Sequence, residues 1–278
     1  MDKPTVGILH PGSMGAAVAA CAATNAASVL WCSQGRSPAS AARAQHAELT
    51  PVSTLRELLD RSGIVISLCP PAAAEDLARD VAEHAFAGTY VEANAVSPER
   101  AQRIAGLLGP AATVVDGAVV GSPPVGGKTP TLYLSGPTAA TTTVETVFDR
   151  TAVRTKVLGT EVGQASALKL SYTAYQKASR VLAALATGMA CQYDVDQELL
   201  EVAARRSTSY LAEPEYIPKV AARAWRWGPE LEEAADTLEA AGLPPEMLRA
   251  AASTLARWND AKDSELTLTD ALDRLAQP

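Results

Sequence analysis

The first 159 residues alternate short β-branched apolar runs with alanine-rich stretches of helical periodicity, and beyond them the short runs stop. Thr5–Leu9, Ser28–Cys32, Ile64–Leu68, Tyr90–Glu92, Thr113–Asp116, Thr131–Leu134 and Thr155–Leu158 have the length and composition of strands. Continuous apolar sequences such as Ile64-Val65-Ile66 lack the alternation of a sheet with one wet face, so they suit a parallel sheet covered on both sides. Leu55–Ser62 and Pro98–Leu107 fall between strands and read as crossover helices of βαβ units. From Gly163 to Cys191 runs one alanine- and leucine-dominated segment without proline, followed by expected helices at Gln197–Arg206, Pro218–Arg226, Pro229–Ala241 and Pro245–Trp258. The pattern predicts an α/β chain: a doubly wound sheet domain over residues 1–159, then an all-helical domain over residues 160–278 that begins with a long inter-domain helix.

The first strand runs into His10-Pro11-Gly12-Ser13-Met14-Gly15, ahead of an alanine-rich helix. Strand, glycine turn and helix N-terminus in that order form the Rossmann-like cradle of a dinucleotide pyrophosphate. The glycines let backbone approach phosphate, and the free N–H groups of the helix face the anion. Gly12 and Gly15 stand at the fingerprint spacing, but His10 replaces the first glycine. A neutral imidazole there could hydrogen-bond cofactor or substrate, and near a phosphate it would be biased toward the cation; equally, it could only fill the space of a looser turn. The second strand ends about 20 residues after the turn, where an acid would select the ribose 2′-hydroxyl of NAD. Ser33-Gln34-Gly35-Arg36-Ser37 stands there instead, and no Asp or Glu occurs between Lys3 and Glu48. Arg36, flanked by Ser33, Gln34 and Ser37, offers a charge-assisted grip on a 2′-phosphate, so the expected cofactor is NADP(H). A polar turn that happens to hold one arginine is the plainer alternative.

Charge and cysteine usage narrow the class. A formal net charge of −7 leaves no general basic footprint for nucleic acid. Cys21, Cys32, Cys69 and Cys191 are dispersed, without metal or redox spacing, and are expected as small buried hydrophobes in a reducing, cytoplasmic setting. His46 and His84 fall on expected surface helices, and no metal site is expected. The alanine run from Ala16 to Ala23 imitates a secretory signal, yet only Lys3 supplies a positive start and His10, Pro11 and Gly12 interrupt the run. No apolar stretch reaches the roughly 18 to 20 residues of a membrane span.

Taken in chain order, the glycine turn, the Arg36 turn, Cys69-Pro70-Pro71, Glu92-Ala93-Asn94-Ala95-Val96-Ser97-Pro98, Asp116-Gly117-Ala118-Val119-Val120-Gly121-Ser122 and Gly163 followed by Lys169 resemble the β-hydroxyacid and 6-phosphogluconate dehydrogenase superfamily. The resemblance spans nearly the whole chain. Arg223-Ala224-Trp225-Arg226-Trp227 before an acidic helix is most similar to a branch of phosphogluconate-dehydrogenase-like reductases, to which imine reductases are related. It implies that His10, Pro11, Gly12, Ser13 and Met14 hold the pyrophosphate, that Arg36 and Ser37 take the 2′-phosphate, that Cys69 and Pro70 line the ribose, and that Asn94 lies beside the nicotinamide. Lys169 aligns with the catalytic lysine that stabilises or protonates the oxygen at the hydride-accepting carbon. A homodimer with interlocked helical domains is also implied. Three positions depart from the pattern: His10; Val120-Gly121-Ser122, where the hydroxyacid enzymes have Ser-Gly-Gly; and Thr173, where they have asparagine.

On a helix, Lys169, Thr173, Gln176 and Lys177 form a polar stripe with Tyr172 and Tyr175 beside it. Facing a cleft, such a lysine would lose basicity through burial and could transfer a proton near neutral pH; facing solvent, it would only extend its ammonium group into water, as expected of Lys177. Tyr172 is a second proton-donor candidate or an aromatic that packs between domains. Val120, Gly121, Ser122, Thr173 and Gln176 are the expected substrate contacts. Trp225 and Trp227 point to different faces and are expected to pack, and Glu230, Glu232 and Glu233 to form a solvated helix start. The expectation is an NADPH-dependent oxidoreductase working on the carbonyl or hydroxyl carbon of a small molecule. Reduction of a C=N bond is the rival, and a non-catalytic NADP-binding sensor the third reading; retention of Lys169 favours oxygen chemistry.

Overall fold

The structure, a computed structural model, describes residues 3–192, 194–205, 210, 213–240 and 245–277. The expected helix ends at Arg206 and Ala241 lie outside the described residues. Eight strands, β1 (Thr5–Ile8), β2 (Ser28–Cys32), β3 (Thr50–Val52), β4 (Ile64–Ser67), β5 (Thr89–Glu92), β6 (Thr113–Val120), β7 (Thr131–Ser135) and β8 (Arg154–Gly159), form one sheet in the order β3-β2-β1-β4-β5-β6-β7-β8. Among them run α1 (Ser13–Ala22), α2 (Pro38–His46), α3 (Leu55–Arg61), α4 (Ala74–Glu83), α5 (Pro98–Leu108) and α6 (Thr138–Phe148). Two of these helices start as local chemistry dictates: Ser37 and Ser97 accept from the backbone of Ser40 and Arg100, with proline in the first helical position behind each.

The register places Gly7 between Leu30 and Val65, all parallel, and parallel pairing continues from β4 through β5 to β6. Alternate residues serve opposite layers. Val6, Ile8, Ile64 and Ile66 pack with Val18, Val144 and Phe148, while Leu30 and Val65 pack with Leu58, Ala78 and Ile104. The order β3-β2-β1-β4-β5-β6 is the doubly wound arrangement whose crevice opens beyond the carboxyl ends of β1 and β4.

The sheet is not parallel throughout, as the pattern had suggested. β6 and β7 are antiparallel, Asp116 facing Ser135. The connection 121–130, rich in glycine and proline, holds no crossover helix and therefore returns the chain directly. β6 also runs on past Asp116 through Gly117, which lies closely against Val91 of β5. β3 was not anticipated, because Pro51 argues against a strand; it is tolerated here because β3 is an edge.

The chain divides into two compact units, residues 1–169 and 170–278, the division falling inside a single long helix, α7 (Gln164–Gln192). Then follow α8 (Asp196–Ala204), α9 (Ile217–Ala221), α10 (Ala224–Ala240), α11 (Glu246–Ala256) and α12 (Leu268–Ala276). No described helix is long and apolar enough to cross a membrane. α10 runs straight through Pro229, where the sequence suggested a break. Ala224, Trp227, Leu231, Ala234 and Ala235 are all buried, so one apolar face continues across the proline and tertiary packing offsets the missing backbone bond. Trp258, fully buried, donates its indole N–H to Ala271 at 2.8 Å and ties α12 to the same core.

Candidate active site

Parallel pairing from β2 to β6 brings the carboxyl ends of five strands to one edge of the first unit. The sequence-predicted residues His10, Arg36, Cys69, Asn94 and Val120 each follow one of those strands or close it. At the end of β1 the His10 carbonyl accepts from Gly12 N at 2.8 Å, and Gly12 opens α1 without any side-chain cap. The first-turn amides behind it, Ser13 and Met14 included, are therefore available to an anion. Gly15 has no alternative: a Cβ there would overlap the His10 carbonyl oxygen. Pro11 is buried and Ser13 exposed.

At the end of β2, Ser33 and Gln34 are exposed, and Gly35 takes the left-handed conformation at φ +70°. Arg36 then turns back, donating through Nη2 to the Leu9 carbonyl at 2.7 Å. Arg43, from α2 and absent from the sequence-based set, donates through Nε to the Pro11 carbonyl at 3.1 Å. Two guanidinium groups thus brace the carbonyls on either side of His10. Burial, then the charges of Arg36 and Arg43, hold the His10 imidazole below its ordinary value, so it is neutral at pH 7. The hydroxyls of Ser33 and Ser37 serve the fold: Ser33 bonds the Val52 carbonyl at 3.1 Å and Ser37 caps α2.

A phosphate-bearing dinucleotide fits this edge on two observations. Nε of Arg36 is buried without a partner among the described residues, and the first turn of α1 is uncapped. Where an acid would receive a free 2′-hydroxyl, the end of β2 carries arginine.

The ends of β4 and β5 are joined by Asn94, only 3% exposed. Its Oδ1 accepts from Cys69 N at 2.6 Å, and its Nδ2 donates to Ser67 Oγ at 2.9 Å and Glu92 Oε1 at 2.5 Å. Asn94 is thus a clamp on the Cys69-Pro70 turn, with both amide donors in use inside the protein. Burial pushes the fully enclosed Glu92 carboxyl up to about 8, against the Asn94 bonds that favour its charge. Burial, with Glu92 nearby, pushes the Cys69 thiol up to about 11, so it remains a thiol.

Asp116 is buried on β6 and receives Gly163 N and Ser166 N at 2.9 Å each, together with the hydroxyls of Ser166 and Ser135. A carboxylate on the first amides of α7 fixes where that helix begins. One turn further, Lys169 Nζ donates to the Val119 carbonyl at 2.8 Å, immediately before Val120, Gly121 and Ser122. Gly121 sits at φ +123°, turning the chain into an exposed loop that carries Ser122.

The polar stripe expected along α7 does not stay together. Gln176 Nε2 donates to Tyr172 Oη at 3.0 Å, and Tyr172 is 41% exposed. Thr173 and Lys177 are instead buried, at 1% and 5% exposure. Lys177 does not reach solvent: it forms an ion pair with Glu230 and lies over the Trp227 ring at 5.3 Å. Glu230 is correspondingly drawn inward rather than solvated. Cys191, expected to be buried, is exposed, whereas Cys32 is buried. Trp227 is buried in the core, and Trp225 packs under Lys262 at 4.3 Å.

Residues 5–159 match the profile of the NAD binding domain of 6-phosphogluconate dehydrogenase, more than half of the chain. The chain belongs to this family. Residues 190–258 match a domain of unknown function, DUF1932. No protein with a curated description matches. Among solved structures, the 6-phosphogluconate dehydrogenase-like fold is shared with Mycobacterium tuberculosis 3-hydroxyisobutyrate dehydrogenase in a structure with L-serine, at TM-score 0.77 and 18% identity over all of both chains. A reductive aminase from Aspergillus terreus, in complex with NADPH and ethyl-5-oxohexanoate, aligns at TM-score 0.57 and 19% identity over 98% of this chain and 99% of the other. A conserved protein of unknown function described as similar to 3-hydroxyacid dehydrogenases aligns at TM-score 0.69 and 24% identity, over 92% of this chain and 97% of the other. At these identities the structural likenesses establish the fold. Family membership makes the protein a nicotinamide-dependent oxidoreductase of the dehydrogenase or reductase kind.

Proposed function

We propose that the protein is an NADPH-dependent oxidoreductase acting on the carbonyl or hydroxyl carbon of a small molecule, with Lys169 as its acid/base or oxyanion-stabilising group. The carrying observation is Lys169 Nζ at 2.8 Å from the Val119 carbonyl, which holds an ammonium group beside the chain turn that the substrate loop Val120–Ser122 leaves. The bound nicotinamide supplies or accepts the hydride. The ammonium group of Lys169 stabilises negative charge on the substrate oxygen and exchanges a proton with it. Asp116 supports this by fixing the start of α7, and so the height of Lys169 along the edge. Arg36 and the first turn of α1 hold the phosphates, while Asn94 keeps the Cys69-Pro70 turn in place.

The loss of Ser-Gly-Gly at Val120-Gly121-Ser122 leaves room for substrates without a carboxylate, and the fold shared with a reductive aminase makes C=N reduction the second reading. NADPH oxidation against a panel of ketoacids, ketones and cyclic imines separates the two. Lys169→Ala should abolish turnover of the preferred carbonyl substrate and leave NADPH affinity nearly unchanged. Activity that survived in this variant would remove Lys169 from the mechanism.

A further inference from the structure

His10 is the residue that the ordinary glycine fingerprint does not explain, and its surroundings give it work. Arg36 and Arg43 are anchored on the Leu9 and Pro11 carbonyls, at 2.7 and 3.1 Å, so both guanidinium groups are held against the turn that carries the imidazole. Gly12 lies under the ring: a Cβ at Gly12 would stand 3.3 Å from His10 Nδ1. The ring therefore borders the uncapped start of α1, where anionic oxygens are received. Arg36 retains a buried Nε without a partner among the described residues.

We propose that His10, Arg36 and Arg43 form a three-cation phosphate site in which the imidazole takes up a proton from solvent as the dinucleotide docks. The proposal rests on the reading that this edge binds a phosphorylated dinucleotide. The groups that act on the ring are Arg36 from the β2–α2 turn and Arg43 from α2; no described carboxylate contributes, and α1 brings only Ser13 and Met14 in its first residues. From the β4 side come the Leu68 carbonyl, near Gly15, and the Cys69 thiol, which stays protonated. In the free protein burial, and after it the charges of Arg36 and Arg43, disfavour a charge on His10. Phosphate oxygens neutralise that repulsion and add attraction of their own, so the bound imidazole regains its proton. No carboxylate is needed to make the site, which distinguishes it from a simple 2′-hydroxyl pocket.

Isothermal titration calorimetry of the full chain with NADP+ at pH 7.5, in three non-phosphate buffers of different ionisation enthalpy, counts the protons taken up. The native protein should take up a substantial fraction of one proton per NADP+, and His10→Gln and His10→Gly should take up essentially none. Between pH 7 and 8.5 the native Kd should rise by up to tenfold per pH unit, and the variants' Kd should be nearly flat. A parallel titration with NAD+ locates the contact: uptake with both nucleotides places His10 on the pyrophosphate, and uptake with NADP+ alone places it on the 2′-phosphate. Tight binding with the same proton count in native and variant proteins would overturn the proposal alone. Failure of both nucleotides to bind the folded native chain would overturn the cofactor reading and the proposal with it.

Discussion

Glu92 offers the sharpest energetic test of the first unit. Its carboxyl is fully enclosed, Oε1 accepts from the Asn94 side chain and backbone, and Oε2 has no partner among the described residues. Burial raises its pKa to about 8 from an ordinary 4.5, Asp116 adds to the rise, and Asn94 and Arg100 oppose it without prevailing. Its folded value lies above its unfolded one, so the stabilising contribution is complete below the unfolded pKa and is lost as pH climbs toward the folded value. At about 1.4 kcal/mol per pKa unit, the gap corresponds to a ceiling on the order of 5 kcal/mol between acid and mildly alkaline pH. Glu92→Gln removes the titration yet keeps an acceptor for Asn94. Urea unfolding of both proteins at pH 5, 6, 7 and 8 should give similar stabilities at pH 5, with the variant gaining by a few kcal/mol at pH 8. Parallel stability–pH curves would refute the reasoning, for they would show that Glu92 folds with the ionisation it has in the unfolded chain.

Gly15→Ala should destabilise the protein by about 1–3 kcal/mol through overlap with the His10 carbonyl and weaken dinucleotide binding, whereas Gly12→Ala meets only the movable His10 ring and should be milder; thermal shift with and without NADP+ reads both. Arg36→Ala should weaken NADP+ by about 10- to 100-fold, the worth of a charge-assisted bond of about 1.5–3 kcal/mol, and NAD+ far less. Equal losses in fluorescence titrations would mean that Arg36 only braces the Leu9 carbonyl. Lys177→Met should cost about 3–5 kcal/mol by leaving Glu230 uncompensated, and adding Glu230→Leu should recover most of it. A single variant as stable in urea as the double would show that the pair is not energetically coupled.

Much of the edge at the carboxyl ends of the strands was legible in the sequence. Ile64-Val65-Ile66 and Ser28–Cys32 announced strands, continuous apolar sequence suiting a sheet covered on both faces, and the expected helix at Pro98–Leu107 is α5; the capping of α2 by Ser37 was not foreseen. Arg43 was missed because its link to Pro11 crosses from α2 to the glycine turn, and local periodicity carries no record of such a contact. Asn94 was visible as a motif residue, but its engagement with Cys69, Ser67 and Glu92 emerges only when β4 and β5 lie side by side. Lys177 was expected in solvent for a related reason: helical spacing tells which residues share a face, not that Glu230 of α10 meets this one.

By itself the sequence determined the alternation of strands and helices in the first unit apart from the edge strand β3, and the glycine turn with histidine in place of its first glycine, since these depend on neighbouring residues and backbone preference. Only tertiary structure decided the rest. The antiparallel return of β7, the inward ion pair of Lys177 with Glu230, the elevated Glu92 carboxyl and the two arginines around His10 all arise from groups remote in sequence meeting where water is scarce. Removal from water makes the identity of a polar partner decisive, and a partner brought by folding has no local signature.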